Sequence, residues 1–149
     1  MSTSVDEAIR TLLLLMPRLI GRAKRTPPPP ELESFNLAPR HLSLLAYLLF
    51  EGALGVNELA ARLEVAPATV SLMVGDLSRK GILARREDDA DRRRTIVSIA
   101  PGHHAAIDGW LGRGASAWRT ALEPLTPDQR RMFVDTLLTF ERAVGGGEA

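Results

Sequence analysis

The segment NELAARLEVAPATVSLMVGDLSRKGILARREDDADRRRTIVSI, residues 57–99, changes its hydrophobic period along its length. From Val56 to Leu63, the residues Leu59, Ala60 and Leu63 recur at helical spacing, which predicts a short helix with those three facing inward. The run EVAP, residues 64–67, interrupts it. Proline has no N–H to donate, but the first turn of a helix does not need one, so Pro67 opens a second helix. Val70, Met73, Val74 and Leu77 form the apolar face of that helix, and Gly81 stops it. Past Gly81 the period drops toward two. Ile82–Arg85 and Thr95–Ile99 read as short strands, with Thr95, Val97 and Ile99 alternating against Ile96 and Ser98. The nine residues 86–94 between them form a charged hairpin loop.

Two short helices, a tight turn and a two-stranded hairpin make a winged helix-turn-helix. The second helix of such a pair fits the major groove of DNA, about 12 Å wide, and its solvent face reaches base edges. With Val70, Met73, Val74 and Leu77 buried, the opposite face centres on Ala68, Leu72, Gly75 and Arg79. The hairpin loop carries cations toward the adjacent backbone or minor groove, where negative potential concentrates. Charge agrees with this placement. The chain as a whole carries only +1, but residues 79–94 hold seven basic groups against four acids, a local +3, while residues 101–149 hold five against six. A local patch steers an anionic partner even when the whole chain is near neutral.

The flanks read as helices. Residues 4–22 place Ile9, Leu12, Leu13, Met16, Leu19 and Ile20 on one apolar face, widened by Leu14 and Leu15, and so wide a face calls for a large partner surface such as a second subunit. Pro17 is expected to kink this helix or end its regular part. RTPPPP, residues 25–30, reads as a stiff extended connector within a proline-rich linker, 25–38. Pro39 suits the first turn of the next helix, whose stripe is Leu42, Leu45, Ala46 and Leu49. A long helix is expected from His103 to Leu122. LTPDQ, residues 125–129, restarts another, with Thr126 as N-cap, Pro127 in the first turn and Gln129 closing a capping box. Met132, Phe133, Leu137 and Phe140 form its face, and GGGEA, 145–149, reads as a disordered tail.

The chain of 149 residues, 45% hydrophobic and 25% charged, suits one soluble globular domain. It has no cysteine, which excludes disulfides, thiolate metal sites and thiol redox sensing. Leu12–Met16 is too short to span a bilayer, and the acids Asp6 and Glu7 stand where a secretory signal wants positive charge. A cytoplasmic protein without a membrane segment is expected.

Residues 57–99 resemble the MarR family of bacterial transcriptional regulators. The carrying pieces are a Leu-Ala helix start, Pro-x-Thr-Val-Ser in the second helix, a Leu-x-x-Lys-Gly exit and an Asp-Arg-Arg wing. The resemblance implies a mainly α winged helix-turn-helix with a small antiparallel β-hairpin wing and a helical dimerisation region. Residues 1–149 form one domain on this plan. Helices 4–24 and 103–144 interlock a homodimer, and the lobe 39–100 binds double-stranded DNA at a pseudo-palindromic operator. The implied action is repression. The resemblance turns Pro67, Ala68, Thr69, Ser71 and Leu72 toward the major groove, where helical geometry adds Arg79; the plainer alternative for Thr69 and Ser71 is solvated helix surface. Arg92, Arg93 and Arg94 become the wing contacts, with Asp91 bracing an arginine of the same motif. This chain departs from the family in three places. Relatives often have arginine where Leu72 and Asp76 stand, and serine where Ala66 stands. Leu72 cannot bond guanine but can touch a thymine methyl, and Asp76 repels phosphate. The wing is therefore expected to carry a larger share of affinity than in a typical relative. The rival reading is a winged-helix protein-interaction module with reduced or lost DNA binding.

Other chemistry is poorly supported. From Asp89, the sixth and twelfth positions of a calcium loop hold Arg94 and Ala100 instead of glycine and glutamate. His103 and His104 point about 100° apart on a helix and make poor joint metal ligands. There is no Ser-His-acid set at recognisable spacing and no glycine-rich phosphate loop, so the expectation is no enzyme, no metal and no cofactor. The family often binds small aromatic acids or phenols, which makes such an effector a candidate partner. Arg40, His41 and Trp110 are candidates to line its pocket, with surface placement the simpler expectation for Arg40 and His41. Trp110 and Trp118 otherwise serve packing at the dimer interface.

Overall fold

The computed structural model describes residues 2–25 and 27–145. Along them run helices α1 (Val5–Arg25), α2 (Pro30–Glu33) and α3 (Pro39–Glu51), strand β1 (Leu54–Gly55), helices α4 (Val56–Leu63) and α5 (Pro67–Arg79), strands β2 (Leu83–Glu87) and β3 (Thr95–Ile99), and helices α6 (Pro101–Leu122) and α7 (Pro127–Gly145). They form two compact units, 1–110 and 111–149.

The predicted helix pair forms as its periodicity requires. Leu59 and Ala60 of α4 and Val70, Met73, Val74 and Leu77 of α5 are buried, Leu63 is only half-buried, and α4 packs against α5. Glu64 turns the chain between them in the left-handed conformation, φ 56°, and the Val65 N–H closes on the Ala60 carbonyl at 3.1 Å. Gly81, φ 79°, ends α5. Its N–H donates to the Ser78 carbonyl and that of Ile82 to the Leu77 carbonyl, both at 3.0 Å, a paired closure that glycine makes without Cβ strain.

The wing is part of a three-stranded antiparallel sheet ordered β1-β3-β2, not a bare hairpin. The short strand β1 pairs Leu54 with Val97 and Gly55 with Ile96, which makes β3 central. On its other side β3 runs from Leu83↔Ile99 to Glu87↔Thr95. That pairing carries β2 two residues past Arg85, so the loop is 88–94 instead of 86–94. Helix α3 packs on β3, whose Val97 is fully buried.

Several expectations are corrected. The buried stripe of α3 is His41, Leu44, Leu45 and Leu48, while Leu42, Ala46 and Leu49 are only half-buried. The helix is rotated from the expected phase, and His41, whose Nδ1 accepts the Ala38 N–H in the first turn, occupies an inward position. The proline-rich linker is not only a connector. Pro29 is extended, φ −62° and ψ 156°, but α2 follows at once and buries Leu32 completely. Pro17 does not end its helix, which continues to Arg25.

In the unit 111–149, the Thr126 N–H donates to Gln129 Oε1 at 2.9 Å and the Gln129 N–H to Thr126 Oγ1 at 3.2 Å, the reciprocal cap expected for α7. Phe133 stacks on Trp118 with ring centroids 5.7 Å apart. Large apolar side chains stay exposed on α7 (Met132, Leu137, Phe140) and, in the unit 1–110, on α1 (Leu12, Leu13, Ile20). The rest of the expected disordered tail, 146–149, lies outside the described residues.

Candidate nucleic-acid interface

Four buried residues fix one side of α5, so its other side is presented outward. Pro67, Ala68, Thr69, Ser71, Leu72 and Arg79 are all exposed, Leu72 at 76%. Ala66 offers no side-chain cap at the start of the helix. The half-buried Asp76 pairs with Lys80 at 3.3 Å, one turn along, and Lys80 Nζ also donates to the Phe35 carbonyl at 2.9 Å. The repulsion expected from Asp76 is thus partly neutralised within the helix. Arg79 folds back along α5, and a Cβ on Gly75 would stand 3.3 Å from its Nη1. Its cation therefore sits a turn nearer the middle of the helix than its Cα.

The loop 88–94 is pre-formed. The Asp88 N–H donates to the Arg94 carbonyl and the Arg94 N–H to the Asp91 carbonyl, both at 2.9 Å. Asp91 Oδ1 accepts the Arg93 N–H at 3.1 Å and Arg93 Nε at 3.3 Å, while the Arg93 side chain is 93% exposed. An arginine held at its base with its tip in solvent loses less freedom on meeting an anion. Arg92 is exposed and has no ion pair among the described residues. Arg94 is different. It pairs with Glu58 of α4 and, through Nη1, with Asp88 Oδ2 at 3.3 Å, so its charge is engaged within the protein. The sequence grouped Arg94 with Arg92 and Arg93 as a DNA contact; in the fold two carboxylates meet its guanidinium, while its side chain stays 43% exposed. Conversely, Arg85 and Arg86 stand exposed on the edge strand β2. The sequence reading placed Arg85 at the end of a strand and Arg86 at the start of the loop but named neither as a contact.

The effector candidates differ in burial. Arg40 is exposed and Trp110 half-buried. His41, expected at the surface, is buried, and its Nδ1 accepts the Ala38 N–H at 3.0 Å. Burial lowers its pKa below the ordinary 6.5, Arg40 and Lys80 add to that, and Asp76 opposes it. His103 stacks edge-on against Phe35 at 5.5 Å. The unit 111–149 has an open cleft of about 460 Å³, lined by Ala115, Trp118, Arg119, Leu122, Glu123 and Arg130. Among the described residues, no group of three or more His, Asp or Glu side chains could hold a metal ion.

Comparison with known proteins bears on the same segment. The model of the MarR family matches residues 35–94. The HTH-type transcriptional repressor MdtR of Bacillus subtilis is 38% identical over 68 residues, which span 46% of this chain and 44% of that protein's length. The structure of S. aureus MepR in its DNA-binding conformation covers 91% of this chain and 98% of its own, with 18% identity and a TM-score of 0.69. A structure of Bordetella bronchiseptica BpsR, described for the regulation of its DNA binding by 6-hydroxynicotinic acid, covers 91% and 99%, with 21% identity and a TM-score of 0.60. At these identities the two structures establish the fold.

Proposed function

We propose, from the match of residues 35–94 to the MarR family model, that the chain is a DNA-binding transcriptional regulator of that family. It acts as a repressor, a homodimer on a pseudo-palindromic operator, and not as an enzyme. The observation that carries this reading is Arg93, braced by Asp91 and extended into solvent on the wing of a helix-turn-helix. Pro67, Ala68, Thr69, Ser71, Leu72 and Arg79 meet the major groove, and Arg92 and Arg93 meet the backbone or minor groove. The apolar side chains left exposed on α1 and α7 support a second copy of the chain as their cover, with 4–24 and 103–144 as the dimerisation helices. A small aromatic acid or phenol releases the operator by favouring a dimer whose recognition helices no longer match two half-sites; the regulation of BpsR by 6-hydroxynicotinic acid supports that class of ligand. The protein works in the cytoplasm, and no described helix is long and apolar enough to cross a membrane.

Footprinting and salt-dependent gel shifts on the DNA upstream of its own gene test the reading. Two protected half-sites and an affinity falling steeply with salt are expected. A sedimenting dimer that protects no DNA at low salt would instead favour the protein-interaction module, with Leu72 as its apolar contact.

A further inference from the structure

Arg94 leaves the charged loop and folds back on the helix-turn-helix. Its guanidinium meets Glu58 in the first turn of α4 and Asp88 at the start of the loop. It also lies flat across Gly55: a Cβ there would stand 2.7 Å from Nε, 3.1 Å from Nη2 and 3.3 Å from Cζ. Gly55 has φ −73° and ψ 158°, an extended conformation open to any L-residue. Glycine at 55 therefore supplies room, not conformational freedom, and Arg94 takes that room. The backbone of Arg94 is tied as well, through Asp88 and Asp91. Asp91 in turn holds Arg93. A continuous chain of interactions thus runs from Gly55 and Glu58 through Arg94 and Asp91 to Arg93. Its fixed end is α4, which packs against α5.

We propose that Arg94 is a positioning residue: it clasps the wing to α4 over Gly55 and so sets where Arg93 stands relative to the outward face of α5, without touching DNA itself. The proposal rests on the DNA-binding reading above, but the clasp itself does not. A guanidinium shared by two carboxylates has little charge left for a phosphate, whereas a wing held in register lets Arg93 bind without first being ordered.

Two charge-neutral perturbations separate position from charge. Gly55→Ala puts a methyl where the guanidinium lies, and the double substitution Glu58→Gln with Arg94→Ala removes one charge of each sign. The probe is a 40-base-pair duplex recovered from a randomised library with the unsubstituted protein. Half-exposed ion pairs are individually weak, so both variants should bind it about three- to tenfold more weakly. Their salt slopes should match that of the parent. Arg93→Ala, in contrast, should lower the slope by about 0.9 for each phosphate that it no longer neutralises. Arg94→Lys, which can keep one ion pair, should bind between parent and double variant. Amide exchange at Asp88 and Arg94 should quicken in Gly55→Ala and in the double variant while α5 keeps its protection. Parent-like affinity and exchange in Gly55→Ala would overturn the clasp, as would a salt slope lowered by about 0.9 in the double variant, which would place Arg94 on a phosphate. If the unsubstituted protein recovers no duplex, the DNA reading falls, and amide exchange alone decides whether Arg94 holds the wing.

Discussion

Deoxyuridine differs from thymidine only in lacking the C5 methyl, the one apolar group that duplex DNA presents in the major groove. It therefore isolates what Leu72 can read. Leu72 is 76% exposed at the centre of the outward face of α5, so most of its apolar surface remains to be covered on binding. Covering one methyl-sized group is worth about 0.8 kcal/mol, which is about fourfold in affinity for one half-site and about fifteenfold for two. Thymine-to-uracil exchange at the positions beneath α5 should therefore cost the parent protein those factors, read by fluorescence anisotropy on a selected operator. Leu72→Ala should bind the thymine operator more weakly and be nearly indifferent to the exchange, so that the cycle of the two changes isolates the interaction. Leu72→Arg should acquire a guanine preference of about 1–3 kcal/mol through bidentate bonding. The reasoning is refuted if Leu72→Ala keeps the full uracil penalty, since the methyl would then be read by another residue. A sharp guanine requirement beneath α5 in the parent would refute it equally.

The other predictions concern charge and stability. His41 titrates below 6.5 in the fold, chiefly through burial, so the unfolded chain takes the proton first; melts should show stability complete above pH 6.5 and lost as pH falls through the lower folded value, a trend that His41→Gln abolishes. Glu64 occupies the left-handed region at φ 56°, which costs an L-residue about 1 kcal/mol, so Glu64→Gly should raise the denaturant midpoint by an amount equivalent to about 0.5–1 kcal/mol; an unchanged or lower midpoint would show the strain is not relieved. Arg79→Ala should lower the salt slope of binding about as much as Arg93→Ala, roughly 0.9 per phosphate left without its cation, whereas an unchanged slope would mean that Arg79 faces bases or nothing.

The helix pair was legible because its punctuation and period agree. Pro67 and Gly81 bracket a run whose four predicted inward residues, Val70, Met73, Val74 and Leu77, are all buried. The cap at Thr126 and Gln129 was legible for the same reason, being local chemistry at fixed spacing. Helix α3 was not, because leucine occupies so many positions between 42 and 49 that more than one phase fits, and a hydrogen bond to the Ala38 N–H lets His41 settle the matter. Strand β1 has only two residues and no period of its own; its partners, Val97 and Ile96, lie some forty residues on. The fate of Arg94 was hidden for a like reason. Nothing in the loop distinguishes it from Arg92 and Arg93; what does is Glu58 on another helix and the space left by Gly55.

This distinction shifts the expected balance between helix and wing. Counting residue types gives the wing three arginines, while α5 lacks two of the cations common among relatives, so the wing is expected to carry a larger share of affinity than in a typical relative. Folding moves both sides of that comparison. Arg94 is withdrawn into ion pairs with Glu58 and Asp88, which leaves Arg92 and Arg93 on the loop. On α5 the acid Asp76 is paired with Lys80, and Arg79 lays its guanidinium over Gly75 toward the middle of the helix. The deficit on the helix and the surplus on the wing are both smaller than the sequence suggests. Arg85 and Arg86, exposed on the edge strand β2, add cations that belong to neither. What steers an anionic duplex is the set of charges that the fold leaves uncommitted. Among the described residues of the helix-turn-helix and wing, Arg79, Arg85, Arg86 and Arg92 belong to that set, while Arg93, tied at Nε to Asp91, keeps a 93% exposed side chain that is already oriented.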